Sequence, residues 1–261
     1  MRTILIAVVG LLACAASAAP PAAPHVPVVV ELFTSEGCSS CPPADGVLST
    51  LAAEGSVGGA QVIPLGMHVT YWDQLGWKDA ASLPEATARQ QAYSRLFGAD
   101  GMYTPQAVID GTAQAVGSDE GSIVRALQRA ASRVHVPIAE KLSADGADAI
   151  AADVTIGSVP ADTREPLDAQ LFLTEDGITS NVRRGENAGR TLRHDAVVRG
   201  VSALVPVPSK GPLRIRLALN PAWQRDRLHA VAVLQGRQSL RIWGAATVPV
   251  TDHQLPLAGH Q

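Results

Sequence analysis

A chain of 261 residues, 46% hydrophobic and 17% charged with a mean hydropathy of +0.12, can bury a sizeable core as one large or two ordinary domains, which excludes wholesale disorder. Its 21 Lys and Arg against 24 Asp and Glu leave a formal net charge of −3 with no basic tail or stripe, so electrostatics exclude nucleic acid as a partner. Aromatic residues, at 4%, are too few for a base-stacking platform or a ring-lined sugar-binding face.

The chain begins with a short basic start at Met1-Arg2, an apolar run from Ile4 to Ala13 and a small-residue cleavage site at Ala16-Ser17-Ala18. These are the three parts of a secretory signal peptide over residues 1–18. A buried N-terminal helix is the structural alternative. The run falls short of the roughly 20 residues that a membrane span needs, and no later window is long and apolar enough, so no membrane span is expected. Leu11-Leu12-Ala13-Cys14 also reads as a lipoprotein box that would acylate Cys14. On the signal-peptide reading the protein is exported, to the periplasm or beyond. Residues 19–27 are a Pro/Ala linker. Once Cys14 leaves with the signal, the mature chain keeps only Cys38 and Cys41. In an oxidising compartment this pair can be disulfide-bonded at rest, and a chain this long does not need it as a staple, which shifts weight toward chemistry.

Residues 28–33 are an apolar, β-branched run broken only by Glu31, and predict a buried strand that ends in the turn Thr34-Ser-Glu-Gly37. From Cys41 to Leu51 apolar residues recur at helical spacing, with Pro42 and Pro43 tolerated in the first turn. Ala60 to Met67 predicts a second strand and His68 to Ala81 a loop. Ser82-Leu-Pro-Glu85 reads as a capping box that opens a helix through Phe97. Gln106–Asp110 and Ala113–Gly117 predict a hairpin. Ser118 is expected to cap a last helix that carries Ile123, Leu127, Ala130 and Val134 on one face.

Beyond His135 the pattern changes to short strand-like runs at 149–156, 167–174, 178–183, 191–205, 213–219, 228–234 and 240–248, parted by Gly, Pro, Asn and Asp. Leu213-Arg-Ile-Arg-Leu-Ala-Leu219 has a strict period of two. The expected division is an α/β unit over 28–135 and an all-β, sandwich-like unit over 136–250, with a tail at 251–261. Charge follows it: residues 26–135 hold 6 Lys and Arg against 11 Asp and Glu, and residues 136–261 hold 14 against 13.

Cys38-Ser39-Ser40-Cys41 lies between a strand and a helix N-terminus, where helix amides and dipole stabilise a thiolate at the first cysteine. Cys38 is then the nucleophile and Cys41 the resolving thiol. The spacing also occurs as half of a zinc site, but the other half is missing from this chain.

This order of elements resembles the thioredoxin fold, and the whole chain resembles a secreted bacterial family of thioredoxin-like proteins of unknown function. The resemblance rests on Glu31–Asp45, His68–Asp73 with Leu75-Gly-Trp77, Arg89-Gln90 with Tyr93, Tyr103–Gln106 and Arg184–His194. It implies a thioredoxin-like domain followed by a β domain, and a cis-proline turn at Thr104-Pro105 facing the cysteines. It also sets Glu31 near a buried acid that assists proton transfer from the resolving thiol; an acid inside an apolar strand is expected to have a raised pKa. An edge-strand carboxylate in water is the alternative. Ser39-Ser40 in place of Gly-Pro, the missing tryptophan before Cys38 and the inserted loop and helix depart from working thioredoxins, which puts reductant activity in question. The insertion brings Tyr71, Trp72 and Trp77, which, with Tyr103, are candidates for partner binding or for covering a small core.

The function expected is thiol-disulfide exchange with a protein or small-molecule disulfide or thiol. A binding module with a structural disulfide is the first alternative. Copper handling is the second, because Met67 and His68 beside Cys38 and Cys41 would make a soft ligand set. No other cofactor is expected, and the sequence leaves the oligomeric state open. The segment from Arg183 to His194, rich in arginine, suits either an anion or a solvated turn.

Overall fold

The computed structural model describes residues 25–146, 148–208 and 211–251. The expected signal peptide, Cys14, nearly all of the linker and most of the tail lie outside the described residues. The first half runs β1 (Val26–Thr34), α1 (Pro42–Glu54), β2 (Ser56–Val57), β3 (Ala60–His68), a 3-10 turn (Thr70–Trp72), α2 (Pro84–Leu96), β4 (Gln106–Ile109), β5 (Ala113–Val116) and α3 (Glu120–Ala131). The second half runs β6 (Ile138–Ala144), β7 (Ala149–Ile156), β8 (Leu167–Glu175), β9 (Ile178–Asn181), β10 (Thr191–His194), β11 (Val197–Val201), β12 (Val205–Pro206), β13 (Leu213–Ala218), a 3-10 turn (Arg225–Arg227), β14 (Leu228–Gly236) and β15 (Ile242–Pro249).

The result is a mixed α/β fold with one large sheet and few helices. Ten strands share the sheet in the order β15-β14-β8-β11-β3-β1-β4-β5, with β2 on β3 and β12 on β8, and the sheet does not close into a barrel. β1 and β3 are parallel, as an intervening helix requires, whereas β4 returns antiparallel to β1. The strands after residue 136 join this sheet through β11, where Val197 pairs with Gly66 and the Gly66 amide donates to the Ala196 carbonyl at 2.8 Å. A smaller sheet, β13-β7-β6, packs Ile150, Ala152, Ile215 and Leu217 against Leu171 and Ala230 of the large one.

Alternation along β1 decides what each face holds. Val28, Val30 and Leu32 pack against Leu48 and Leu51 of α1 and Ile123 and Leu127 of α3. Val29 and Phe33 enter the other core, with Met67, Tyr93, Phe172 and Val231. Each fully buried side chain of this size contributes about 1.5–3 kcal/mol.

Four local expectations change. α2 starts after Leu83 without a side-chain cap, because Ser82 Oγ turns to Asp73 Oδ2 at 2.7 Å and to the Asp79 carbonyl. Asp119, not Ser118, caps α3 by accepting from the Ser122 amide at 2.9 Å. The run 191–205 breaks into β10, β11 and β12, with Ala196 at a φ of 53° between the first two. β6 pairs with β7 along a stretch where Glu140 and Lys141 mask the apolar alternation.

Candidate functional site

The cysteine turn sits where β1 hands the chain to α1. Cys38 and Cys41 form a disulfide with their Cα atoms 5.4 Å apart, and both residues are 0% exposed. Cys41 is the N-cap residue of α1, and its carbonyl accepts from the Ala44 and Asp45 amides at 2.8 and 3.0 Å. Prolines 42 and 43 occupy positions whose amides a helix start leaves unpaired. Only Ser39 and Ser40 of the turn face solvent.

The Thr104-Pro105 bond is cis, and Thr104 Oγ1 donates to Cys38 Sγ at 3.3 Å while accepting from Trp72 Nε1 at 2.8 Å. Gly117 backs this turn. Its amide donates to the Pro105 carbonyl at 2.9 Å, and a Cβ there would lie 2.6 Å from Leu32 Cδ1 and 3.0 Å from Ala44 and Pro105. Glycine at 117 therefore lets the proline turn close on the start of α1.

The inserted aromatics split between site and scaffold. Trp72 reaches Thr104, and Trp77 Nε1 donates to Glu36 Oε2 at 2.6 Å, so both border the cysteine turn. Tyr71 donates to Gln90 Oε1 at 3.1 Å on α2. Tyr103, 37% exposed, reaches Gln114 and the Ala115 carbonyl on β5 at 3.4 Å.

Glu31 is buried, but on the face opposite α1. There Arg89 and Tyr93 of α2 both donate to it, and Gln235 of β14 joins both of them. Burial would lower the Arg89 pKa, but the Glu31 charge outweighs it and holds the guanidinium firmly protonated. The expected pairing of Glu31 with the cysteines is therefore not what the structure assembles. Of the copper set, Met67 and His68 fall on opposite faces of β3. Met67 packs in the core with Phe33 and Tyr93 while His68, next along β3, points to the other face. Among the described residues no group of three or more His, Cys, Asp or Glu side chains is arranged to hold a metal.

Sequence reasoning missed the buried polar cluster next to the turn. His68 Nδ1 lies 2.6 Å from Asp79 Oδ2, the Glu36 amide donates to the same oxygen at 2.9 Å, and Thr34 Oγ1 donates to Asp45 Oδ1 at 2.7 Å. His194 stacks edge-on to His68 at 4.9 Å, with its Nδ1 3.4 Å from Asp45 Oδ2 and its Nε2 3.9 Å from Glu36 Oε1. Burial alone would lower the His68 pKa, yet the Asp79 charge and hydrogen bond, with help from Asp45 and Glu36, raise it to about 9. Burial would raise Asp79, and His68 with two backbone amides brings it down to about 2. Burial and the Asp79 charge push Glu36 up, against the Trp77 hydrogen bond and both histidines. Glu36, Asp45, His68 and His194 lie in segments that carry the family resemblance, but their spacing does not say that they meet one another or Asp79.

A pH dependence follows. His68 has a raised folded-state pKa, so its contribution is complete below about 6.5 and is lost as pH rises through about 9. Urea unfolding should show stability falling by on the order of 2 kcal/mol between pH 6.5 and 9, and His68→Gln should flatten that slope. An unchanged slope in the variant would remove His68 as its source.

A segment from the second half completes the site. The connection between β9 and β10 brings Asn187, 0% exposed, onto the turn, where its Nδ2 donates to the carbonyls of Glu36 and Cys38, each at 2.9 Å. Glu186 Oε2 accepts from the Ser39 amide at 2.9 Å, and Ser180 Oγ donates to Glu36 Oε2 at 3.1 Å. No described helix is long and apolar enough to cross a membrane.

A family described as "Protein of unknown function (DUF1223)" matches residues 29–235. Among solved structures, a protein from Agrobacterium tumefaciens is 29% identical, covers 92% of this chain and 100% of its own, and superposes with a TM-score of 0.67. HBP35 of Porphyromonas gingivalis is 17% identical over 91% of this chain and 79% of its own, with a TM-score of 0.64, a likeness of fold alone. No curated protein matches the chain.

Proposed function

This chain belongs to the DUF1223 family of proteins of unknown function, and from the chemistry of its redox turn we propose that it is an exported thiol-disulfide oxidoreductase of thioredoxin-like architecture. The observation that carries the reading is the Cys38–Cys41 disulfide at the start of α1 with Thr104 Oγ1, before a cis proline, 3.3 Å from Cys38 Sγ. Two parts of a disulfide-exchange site, an activated sulfur and a rigid turn against which an extended substrate can lie, are thus adjacent.

In the oxidising direction, a substrate thiolate attacks Cys38 Sγ. The Cys38–Cys41 bond breaks, and its electron pair leaves on Cys41 Sγ, which takes a proton. A second substrate thiolate then attacks the substrate sulfur of the mixed disulfide, so the substrate leaves as a disulfide and Cys38 leaves as a thiolate. The positive end of the α1 dipole favours that thiolate; Pro42 and Pro43 bring no N–H, and the Ala44 and Asp45 amides are taken by the Cys41 carbonyl. Two thiols lose two electrons and the protein pair gains them; the reverse sequence reduces a substrate. Thr104, Trp72 and Asn187 hold the turn, and Pro105 shapes the surface beside it.

One observation favours the rival reading of a binding module with a structural bridge: both cysteines are fully buried in the oxidised protein. The two are separated by mixing the oxidised mature protein with a peptide dithiol and counting alkylated thiols by mass. Two thiols appearing on the protein as the peptide oxidises supports exchange. An intact bridge after prolonged incubation supports the structural role.

A further inference from the structure

We propose that the connection between β9 and β10, residues 182–190, is the substrate-selecting surface of this site and that it selects anionic thiols and disulfides. The inference rests on the exchange reading above and adds the chemical class of the substrate.

Ser39 and Ser40 are the exposed residues of the turn that holds the buried sulfurs, and Ser40 Oγ lies 3.3 Å from Cys38 Sγ. The connection is fastened to that same edge through Glu186 on the Ser39 amide and Asn187 on the Cys38 carbonyl, which sets it beside Cys38. It is also braced within itself. The Val182 amide donates to the Arg190 carbonyl at 3.0 Å, the Gly189 amide returns to the Val182 carbonyl at 2.8 Å, and Arg190 Nη1 donates to Asn187 Oδ1 at 3.1 Å. A braced loop presents its side chains in a fixed place.

Those side chains are cationic. Arg183, Arg184 and Arg190 are exposed on the connection, against one carboxylate, Glu186, which the Ser39 amide already engages. Among the described residues Arg183 and Arg184 have no hydrogen-bond or ionic partner. Lys78 adds a further exposed cation beside Trp77, whose Cβ lies 3.3 Å from where a Cβ on Gly185 would fall. A positive rim at a reactive sulfur concentrates anionic reactants and stabilises a thiolate in the approach to it. It stands out because the half of the chain that carries the cysteines is itself acidic, with 6 Lys and Arg against 11 Asp and Glu over residues 26–135.

The test uses the oxidised mature protein and three small thiols: glutathione with net negative charge, neutral 2-mercaptoethanol and cysteamine with its ammonium. Second-order reduction rates are compared per thiolate at low and high salt. The expected result is a glutathione rate about three- to tenfold above the cysteamine rate at low salt, converging at high salt. In Arg183→Gln/Arg184→Gln the ratio of the glutathione rate to the 2-mercaptoethanol rate should fall toward the high-salt value. Equal rates for the three thiols, or a preference that the double variant retains in full, overturn this inference while leaving exchange intact. A bridge that none of the three thiols reduces overturns both.

Discussion

Cys38→Ser protein is expected to show no thiol-disulfide exchange above the uncatalysed background, whereas Cys41→Ser is expected to accumulate a mixed disulfide on Cys38. The asymmetry follows from position. Cys38 carries the sulfur that Thr104 touches at 3.3 Å and borders the exposed serines, and Cys41 is locked into the N-cap of α1. Without Cys41 nothing within the turn releases a partner attached to Cys38, so the intermediate persists and is visible by non-reducing electrophoresis and mass. Stability separates this outcome from simple unfolding. A bridge that closes so short a loop stabilises by about 2 kcal/mol in the chain-entropy account, so both variants should lose that amount and still fold. Exchange by Cys38→Ser, or equal trapping by the two variants, would contradict the assigned roles.

The largest loss of stability is expected from Arg89→Met. Arg89 is the cation for Glu31, a carboxylate with no exposure in the middle of β1, and it also bonds Tyr93 Oη at 3.0 Å and Gln235 Oε1 at 2.9 Å. Its removal leaves the Glu31 charge buried and partly unpaired, which costs about 3–5 kcal/mol. Denaturant unfolding should report that loss, and Glu31→Gln in the Arg89→Met background should recover much of it, because a neutral amide is far cheaper to bury. A loss under about 1 kcal/mol would show that the network is not holding α2 to the sheet.

Local chemistry carried much of what was legible in the sequence. The apolar run at 28–33, the prolines after Cys41 and the period of two at 213–219 each report a single element, and those elements form close to where they were expected. Thr104-Pro105 facing Cys38 came from the family resemblance, and the structure sets the two side by side. What stayed hidden is long-range pairing. Periodicity says which face of β3 is buried but not that Gly66 meets Val197, nor that β8, β11, β14 and β15 extend the sheet that begins at β1. Glu31 was misplaced because a period of two gives alternation without giving which side α1 takes. Asn187 and Glu186 look like ordinary turn residues until the fold brings them across almost 150 positions to the cysteine turn. The cluster of Glu36, Asp45, His68, Asp79 and His194 was hidden for the same reason: four of its members lie in the segments that carry the resemblance, but only the fold brings them together.

A redox pair and a structural staple at Cys38–Cys41 differ in reduction potential. The mature protein is equilibrated in glutathione buffers of graded poise, and free thiols are counted by alkylation and mass. For a redox pair, two thiols should appear together with a midpoint between about −120 and −270 mV, the range of exchange-active proteins. A pair still oxidised below about −300 mV, as structural disulfides are, would contradict the redox role.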